Sequence, residues 1–126
     1  MHSPPEPLVM AWLDRQDRSS LAITSVNLLE VRFGLLTMPE GQRRRARESA
    51  FQVLLRRGLP GRILPFDAAA AEATAELEAR RKAVGRAVGV RDAQIAGIAI
   101  ANTASICTRN TRHFDDAGVP LYDPWG

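Results

Sequence analysis

Short apolar runs alternate with longer stretches of helical spacing along this chain of 126 residues. After a proline-rich start at residues 1–7, Leu8-Val9-Met10-Ala11-Trp12-Leu13 predicts a short helix with an apolar face, ended by the charged residues 14–18. Leu21-Ala22-Ile23-Thr24 reads as a short buried strand, and Thr24 or Ser25 can cap a helix over the apolar stretch 25–36. Met38-Pro39-Glu40-Gly41 breaks that helix. An amphipathic helix follows over about residues 42–57, with Ala46, Ala50, Phe51, Val53 and Leu54 on its inner side and Gly58 at its end. Residues 62–66 form the next expected strand, and Asp67 is a good N-cap for an alanine-rich helix over residues 68–83. Gly85 and Gly89 bracket a loop, and Arg91 and Asp92 open a further helix to about Ala101. Residues 104–108 and 119–122 are the last two predicted strands.

Helices that alternate with short apolar strands predict an α/β fold, a mostly parallel sheet flanked by helices. The length suits one domain over residues 1–126. No internal repeat is visible, nor a glycine-rich phosphate loop or dinucleotide fingerprint. With 45% hydrophobic and 25% charged residues the composition is that of a globular protein. The longest apolar run, residues 95–101, falls far short of the roughly 18 residues of a membrane span. The N-terminus has neither the basic start nor the apolar core of a secretory signal, so the expectation is a soluble, cytoplasmic protein with no membrane partner. Cys107 is the sole cysteine, which excludes an intrachain disulfide and a thiolate metal cluster; its flanks suggest a buried strand thiol.

Two acids do not fit this apolar background. The helical neighbours of Glu30 are Val26, Asn27, Phe33 and Gly34, and those of Asp92 are Val88, Gly89, Ile95 and Ala96, so neither acid has a local base. A carboxylate on the hydrophobic side of a helix is costly unless it meets a cation or a distant arginine. An α/β sheet gathers functional residues at the carboxyl ends of its strands and at the starts of the following helices. Glu30, Asp92 and Asn110 all occupy such places. Converging, they would make an oxygen-rich cleft suited to Mg²⁺ or Mn²⁺. Taken singly, each has a plainer reading: Asp92 as a first-turn acid at the positive helix end, Glu30 as a core-edge acid paired to an arginine, Asn110 as a turn residue.

The formal charge is +3, yet sixteen of the seventeen basic residues are arginines, and they cluster. Arg43-Arg44-Arg45-Ala46-Arg47, Arg56-Arg57, and Arg80-Arg81-Lys82 with Arg86 can face phosphates, with solvated helix faces as the alternative. His2 and His113 have no partner at metal-ligand spacing and are expected to be exposed. Trp12 and Trp125 read as packing residues near the termini rather than stacking platforms for bases.

The order of these segments resembles the PIN-domain ribonucleases, in particular the VapC-type toxins of bacterial toxin–antitoxin pairs. The resemblance runs through Trp12-Leu13-Asp14, Asn27-Leu28-Leu29-Glu30-Val31-Arg32-Phe33-Gly34, Gly61-Arg62-Ile63-Leu64-Pro65-Phe66-Asp67, Val90-Arg91-Asp92-Ala93-Gln94-Ile95-Ala96, Thr108-Arg109-Asn110 and Asp123-Pro124-Trp125. It implies a PIN-like three-layer fold and a metal-dependent ribonuclease with Glu30 and Asp92 as metal-site acids for Mg²⁺ or Mn²⁺. It further implies that Asn110 orients a ligand or water, and that Thr108 and Arg109 contact the substrate. The implied partners are RNA, a VapB-like antitoxin and a second copy in a homodimer.

Two departures from the family pattern stand out. Family members begin with a hydrophobic strand ending in an Asp-Thr-Asn-like tripeptide, and Met1-His2-Ser3-Pro4 already lies downstream of it. A late-assigned gene start and a truncated copy are the two explanations, and an uncovered sheet edge would favour self-association. Asn110 stands where many members have an aspartate; Asp115 and Asp116 could substitute through water, and His113 sits where some members carry an acid. The competing reading is a catalytically inert toxin that still docks an antitoxin between the helices over residues 28–38 and 42–57.

Overall fold

The structure, a computed structural model, describes residues 23–58, 63–87, 89–108 and 110–122. The expected helix around Trp12, together with Arg62, Arg109, Trp125 and the side chain of Cys107, lies outside the described residues. The chain divides into two compact units, Met1–Ile63 and Leu64–Gly126.

In the first unit, strand β1 (Ile23–Thr24) leads directly into helix α1 (Ser25–Leu36). Thr24 starts that helix through a capping box: its hydroxyl oxygen accepts from the Asn27 N–H at 3.0 Å, and Asn27 Oδ1 accepts from the Thr24 N–H at 3.1 Å. The helix ends at Thr37, whose hydroxyl donates to the carbonyls of Phe33 and Gly34. Val26 and Leu35 are buried. Beyond the Pro39–Gly41 turn, helix α2 (Gln42–Gly58) sets Phe51 into the core, and the Arg32 guanidinium lies over its ring at 5.2 Å from the centroid. Of the inner face predicted for α2, Phe51 is buried and Ala50, Val53 and Leu54 are half-buried; Ala46, against expectation, is exposed. The first unit closes at Ile63, the first residue of strand β2 (Ile63–Leu64), which pairs with β1.

The second unit is built on two helices, α3 (Ala68–Ala83) and α4 (Val90–Ala101). Asp67 caps α3, its carboxylate accepting from the Ala70 N–H at 3.0 Å. The buried residues of α3 are Ala70, Thr74, Leu77 and Arg81, spaced four, three and four apart along a single stripe. Against it α4 packs Ala93 and the unbroken buried run Ile95, Ala96, Gly97, Ile98 and Ala99. The two helices approach so closely that a Cβ on Gly97 would sit 1.8 Å from Thr74 Oγ1 and 2.7 Å from the Ala70 carbonyl oxygen. Gly85, at φ +71°, turns the chain from α3 toward α4.

Strands β3 (Ile106–Cys107) and β4 (Leu121–Tyr122) pair in parallel, Ile106 opposite Leu121 and Cys107 opposite Tyr122. A 3₁₀ turn (Thr111–His113) and buried Phe114 and Ala117 link them. The α/β alternation read from the sequence is present, with each described strand only two residues long. The predicted strands over residues 62–66, 104–108 and 119–122 were too long where their ends are described, because Phe66, Ala104 and Val119 lie in irregular backbone; residues 21, 22 and 62 lie outside the described residues.

Candidate functional site

Asp92 lies in the first turn of α4, where the positive end of the helix favours a carboxylate. Its Oδ2 is 2.8 Å from Nδ1 of His113, the last residue of the 3₁₀ turn. A carboxylate oxygen accepts, so in this pair the imidazole donates from Nδ1. His113 is 52% exposed and the Asp92 side chain 28%. The histidine is therefore exposed as expected, and the distant group that meets Asp92 is this imidazole, 21 residues away.

Two arginines hold the turn that carries His113. Arg81, on the buried stripe of α3 and only 3% exposed, donates from Nε to Asp116 Oδ2 at 2.9 Å and from Nη2 to Asp116 Oδ1 at 2.8 Å. The same Nη2 donates to the His113 carbonyl at 2.9 Å. Arg86 pairs with Asp115 at 2.7 Å, lies 3.4 Å from Asp116 and donates to the Arg112 carbonyl. The hydrogen bond from Arg81 holds the Asp116 carboxyl below its ordinary range, and the neighbouring charges of Arg81 and Arg86 act in the same direction. In turn the bond to Asp116 raises the Arg81 pKa, with Asp92 and Asp115 adding to the effect through their charge. Among the described residues Arg81 Nη1 is buried without a hydrogen-bond partner, so this guanidinium is committed to its place at some cost.

These pairs bear on two expectations. Asp115 and Asp116, expected as water-bridged substitutes for the acid that Asn110 replaces, are each bonded to an arginine, Asp115 while 59% exposed. Arg81 is buried and Arg86 half-buried, each tied to those same acids, whereas Arg80 and Lys82 are exposed. A cleft of about 320 Å³ beside them, lined in part by Glu78, Lys82 and Ala93, therefore presents arginines that are already neutralised. In the first unit, Arg44 is similarly occupied, by Glu48 at 2.7 Å and the Met38 carbonyl.

Asn110 is exposed and precedes the 3₁₀ turn; its N–H donates to Thr108 Oγ1 at 3.0 Å and its carbonyl accepts from the His113 N–H at 2.9 Å. Thr108 is half-buried at the end of the β3–β4 ladder, its N–H bonded to the Tyr122 carbonyl. Asp92, His113, Asn110 and Thr108 thus belong to one unit and are linked by hydrogen bonds around the 3₁₀ turn. Glu30 stands in the first unit, half-buried on α1, with no ion pair or hydrogen bond among the described residues. The carboxylate and amide oxygens of Glu30, Asp92 and Asn110 suit a hard divalent cation in donor chemistry. Among the described residues, however, no three His, Cys, Asp or Glu side chains are grouped to hold one.

Sequence reasoning missed Arg81 and its hold on the 112–116 segment. The signal was present: Ala70, Thr74, Leu77 and Arg81 mark one buried stripe, and an arginine on such a stripe demands an acid from elsewhere in the chain.

Residues 4–120 match the PIN domain family. The chain belongs to that family. Within it, the chain is 36% identical over 121 residues to a VapC ribonuclease, Y4jK, of Sinorhizobium fredii, covering 96% of this chain and 86% of the relative. It is 32% identical over 109 residues to the tRNA(fMet)-specific endonuclease VapC of Shigella flexneri, covering 86% of this chain and 78% of that one. Its fold is similar to that of FitAB bound to an IR36 DNA fragment, with a TM-score of 0.83 and 28% identity, covering 99% of this chain and 87% of the other. These relatives place it among the VapC-type PIN domains. Among the described residues no helix is long and apolar enough to cross a membrane.

Proposed function

We propose that this chain is a metal-dependent endoribonuclease, the toxin of a type II toxin–antitoxin pair acting in the cytoplasm. The observation that carries the reading is Asp92: a carboxylate at the start of α4, at the protein surface, held in one orientation by His113, in a chain related to a VapC ribonuclease. Glu30 and Asp92 are the residues that would hold Mg²⁺ or Mn²⁺, with Asn110 orienting a ligand or water through its amide. The chemistry such an ion would supply there is neutralisation of charge on the attacked phosphate and activation of water for hydrolysis. In this reading Thr108 and Arg109 are the substrate-contacting residues, and the exposed Arg43, Arg45, Arg56 and Arg80 would add salt-dependent affinity.

A second reading has its own support. Leu29, Phe33 and Leu36 are exposed at spacings of four and three along α1, an apolar stripe of the kind an amphipathic helix covers. The similar FitAB structure is a two-component complex, which supports a VapB-like antitoxin as the partner for this stripe. Assembly as a homodimer belongs to the same proposal. Should the chain hydrolyse nothing, it remains an antitoxin-binding module.

Cleavage of a fluorogenic RNA by the purified chain, with Mg²⁺, with Mn²⁺ and with chelator, separates the two. Metal-dependent cleavage that disappears in Asp92→Asn supports the enzyme. A folded chain that captures the antitoxin and cleaves no RNA leaves only the binding module.

A further inference from the structure

We infer that His113 is a positioning residue of the cation site, fixing the Asp92 carboxylate so that its second oxygen is presented to the ion; this rests on the reading of Asp92 as a metal ligand. The bond of 2.8 Å from Nδ1 takes up Oδ2, which removes the free rotation of a surface aspartate and leaves Oδ1 as the oxygen for a ligand.

The surroundings of His113 explain how an exposed side chain can do this. Its backbone is held from three directions. Its N–H donates to the Asn110 carbonyl, its own carbonyl accepts from buried Arg81, and Arg86 donates to the carbonyl of Arg112 just before it. Beyond the turn, Asp115 and Asp116 tie the following segment to the same two arginines. A half-exposed imidazole on a loose turn would sample many orientations. On a turn braced by two arginines, it has one backbone position from which to reach Asp92.

A buried arginine–carboxylate pair adds little net stability compared with apolar packing, and the unpartnered Nη1 makes this one costlier still. Its return is geometric: it sets the 112–116 segment, and through His113 the carboxylate, against α4. The chain of contacts runs from Arg81 to the His113 carbonyl through a hydrogen bond of 2.9 Å, through the covalent frame of His113 to its imidazole, and from Nδ1 to Asp92 at 2.8 Å.

The test is Mn²⁺ binding to the full chain, read from the electron paramagnetic resonance of the free ion, for wild type, His113→Ala, His113→Asn and Asp92→Asn. Circular dichroism melting of each variant accompanies it. The expectation is that His113→Ala weakens Mn²⁺ binding about 10- to 100-fold, the range for loss of a group that orients a metal ligand. His113→Asn, whose amide N–H can take the place of Nδ1–H, recovers most of that loss, and both variants melt close to wild type. Wild-type affinity in His113→Ala, with binding lost in Asp92→Asn, overturns the role of His113 while leaving Asp92 as a ligand. Weakened binding that His113→Asn does not restore, with a lowered melting temperature, makes His113 merely structural and overturns it as well. Wild-type affinity in Asp92→Asn, or no binding by the unaltered chain, removes the metal-ligand reading itself and the inference with it.

Discussion

Replacing Asp116 with alanine leaves the Arg81 guanidinium, 3% exposed, with a charge that water can scarcely reach. Two charge-assisted hydrogen bonds, at 2.8 and 2.9 Å, are lost at once. Breaking a buried pair by removing one partner costs about 3–5 kcal/mol. Asp116 itself is 29% exposed, and the vacated space admits some water, so the lower part of that range applies, about 3–4 kcal/mol. Arg81→Met is a different perturbation. It removes the buried charge together with the unpartnered Nη1, and it leaves Asp116 beside Arg86 and within reach of solvent. What remains is the lost donor to the His113 carbonyl, about 1–2 kcal/mol. The double variant should then resemble Arg81→Met alone, because no unpaired charge is left in either. Urea unfolding followed by circular dichroism measures all three, with unchanged slopes required before the energies are compared. The reasoning is refuted if Asp116→Ala is no more destabilising than Arg81→Met, or if the two single losses simply add in the double variant.

The same pair predicts a response to acid. The Asp116 pKa is lowered in the folded protein, so its contribution is complete above the ordinary aspartate value, about 3.9, and is lost as pH falls through the lower folded value. Asp116→Ala should flatten that acid limb in a pH series of melting curves; an unchanged limb would show that other carboxylates govern it. Gly97→Ala should destabilise by about 1–3 kcal/mol despite the roughly 1 kcal/mol that alanine gains in a helix, because the Ala70 carbonyl at 2.7 Å is backbone and cannot turn aside. A more stable Gly97→Ala would mean that α3 and α4 pack less tightly than described. Thr24→Ala removes the capping box of α1 and should cost about 1 kcal/mol, read from the urea midpoint. Arg44→Ala, which loses the surface pair with Glu48 and the bond to the Met38 carbonyl, should change stability by no more than about 1 kcal/mol.

Much of this protein was decided by short-range order in the chain. Thr24 with Asn27 and Asp67 with Ala70 begin their helices through bonds spanning three residues, and the breaker at 38–41 ends α1 within a few positions of where it was expected. Such signals are legible because caps, turns and apolar periodicity act between residues no more than four apart. The family order of segments was legible for the same reason, as a series of local motifs, and it singled out Asp92 before any partner was visible. The fold decided what those motifs could not. Arg81 and Asp116 are 35 residues apart, and Asp92 and His113 are 21 apart, so their pairing depends on which faces α3, α4 and the 3₁₀ turn bring together. That is why Asp115 and Asp116 looked available as ligands and the Arg81–Arg86 segment looked like a phosphate-facing cluster. A charge has no periodicity that names its partner; only tertiary packing selects which acid a buried arginine meets, because the desolvated cation must find one wherever the chain has placed it.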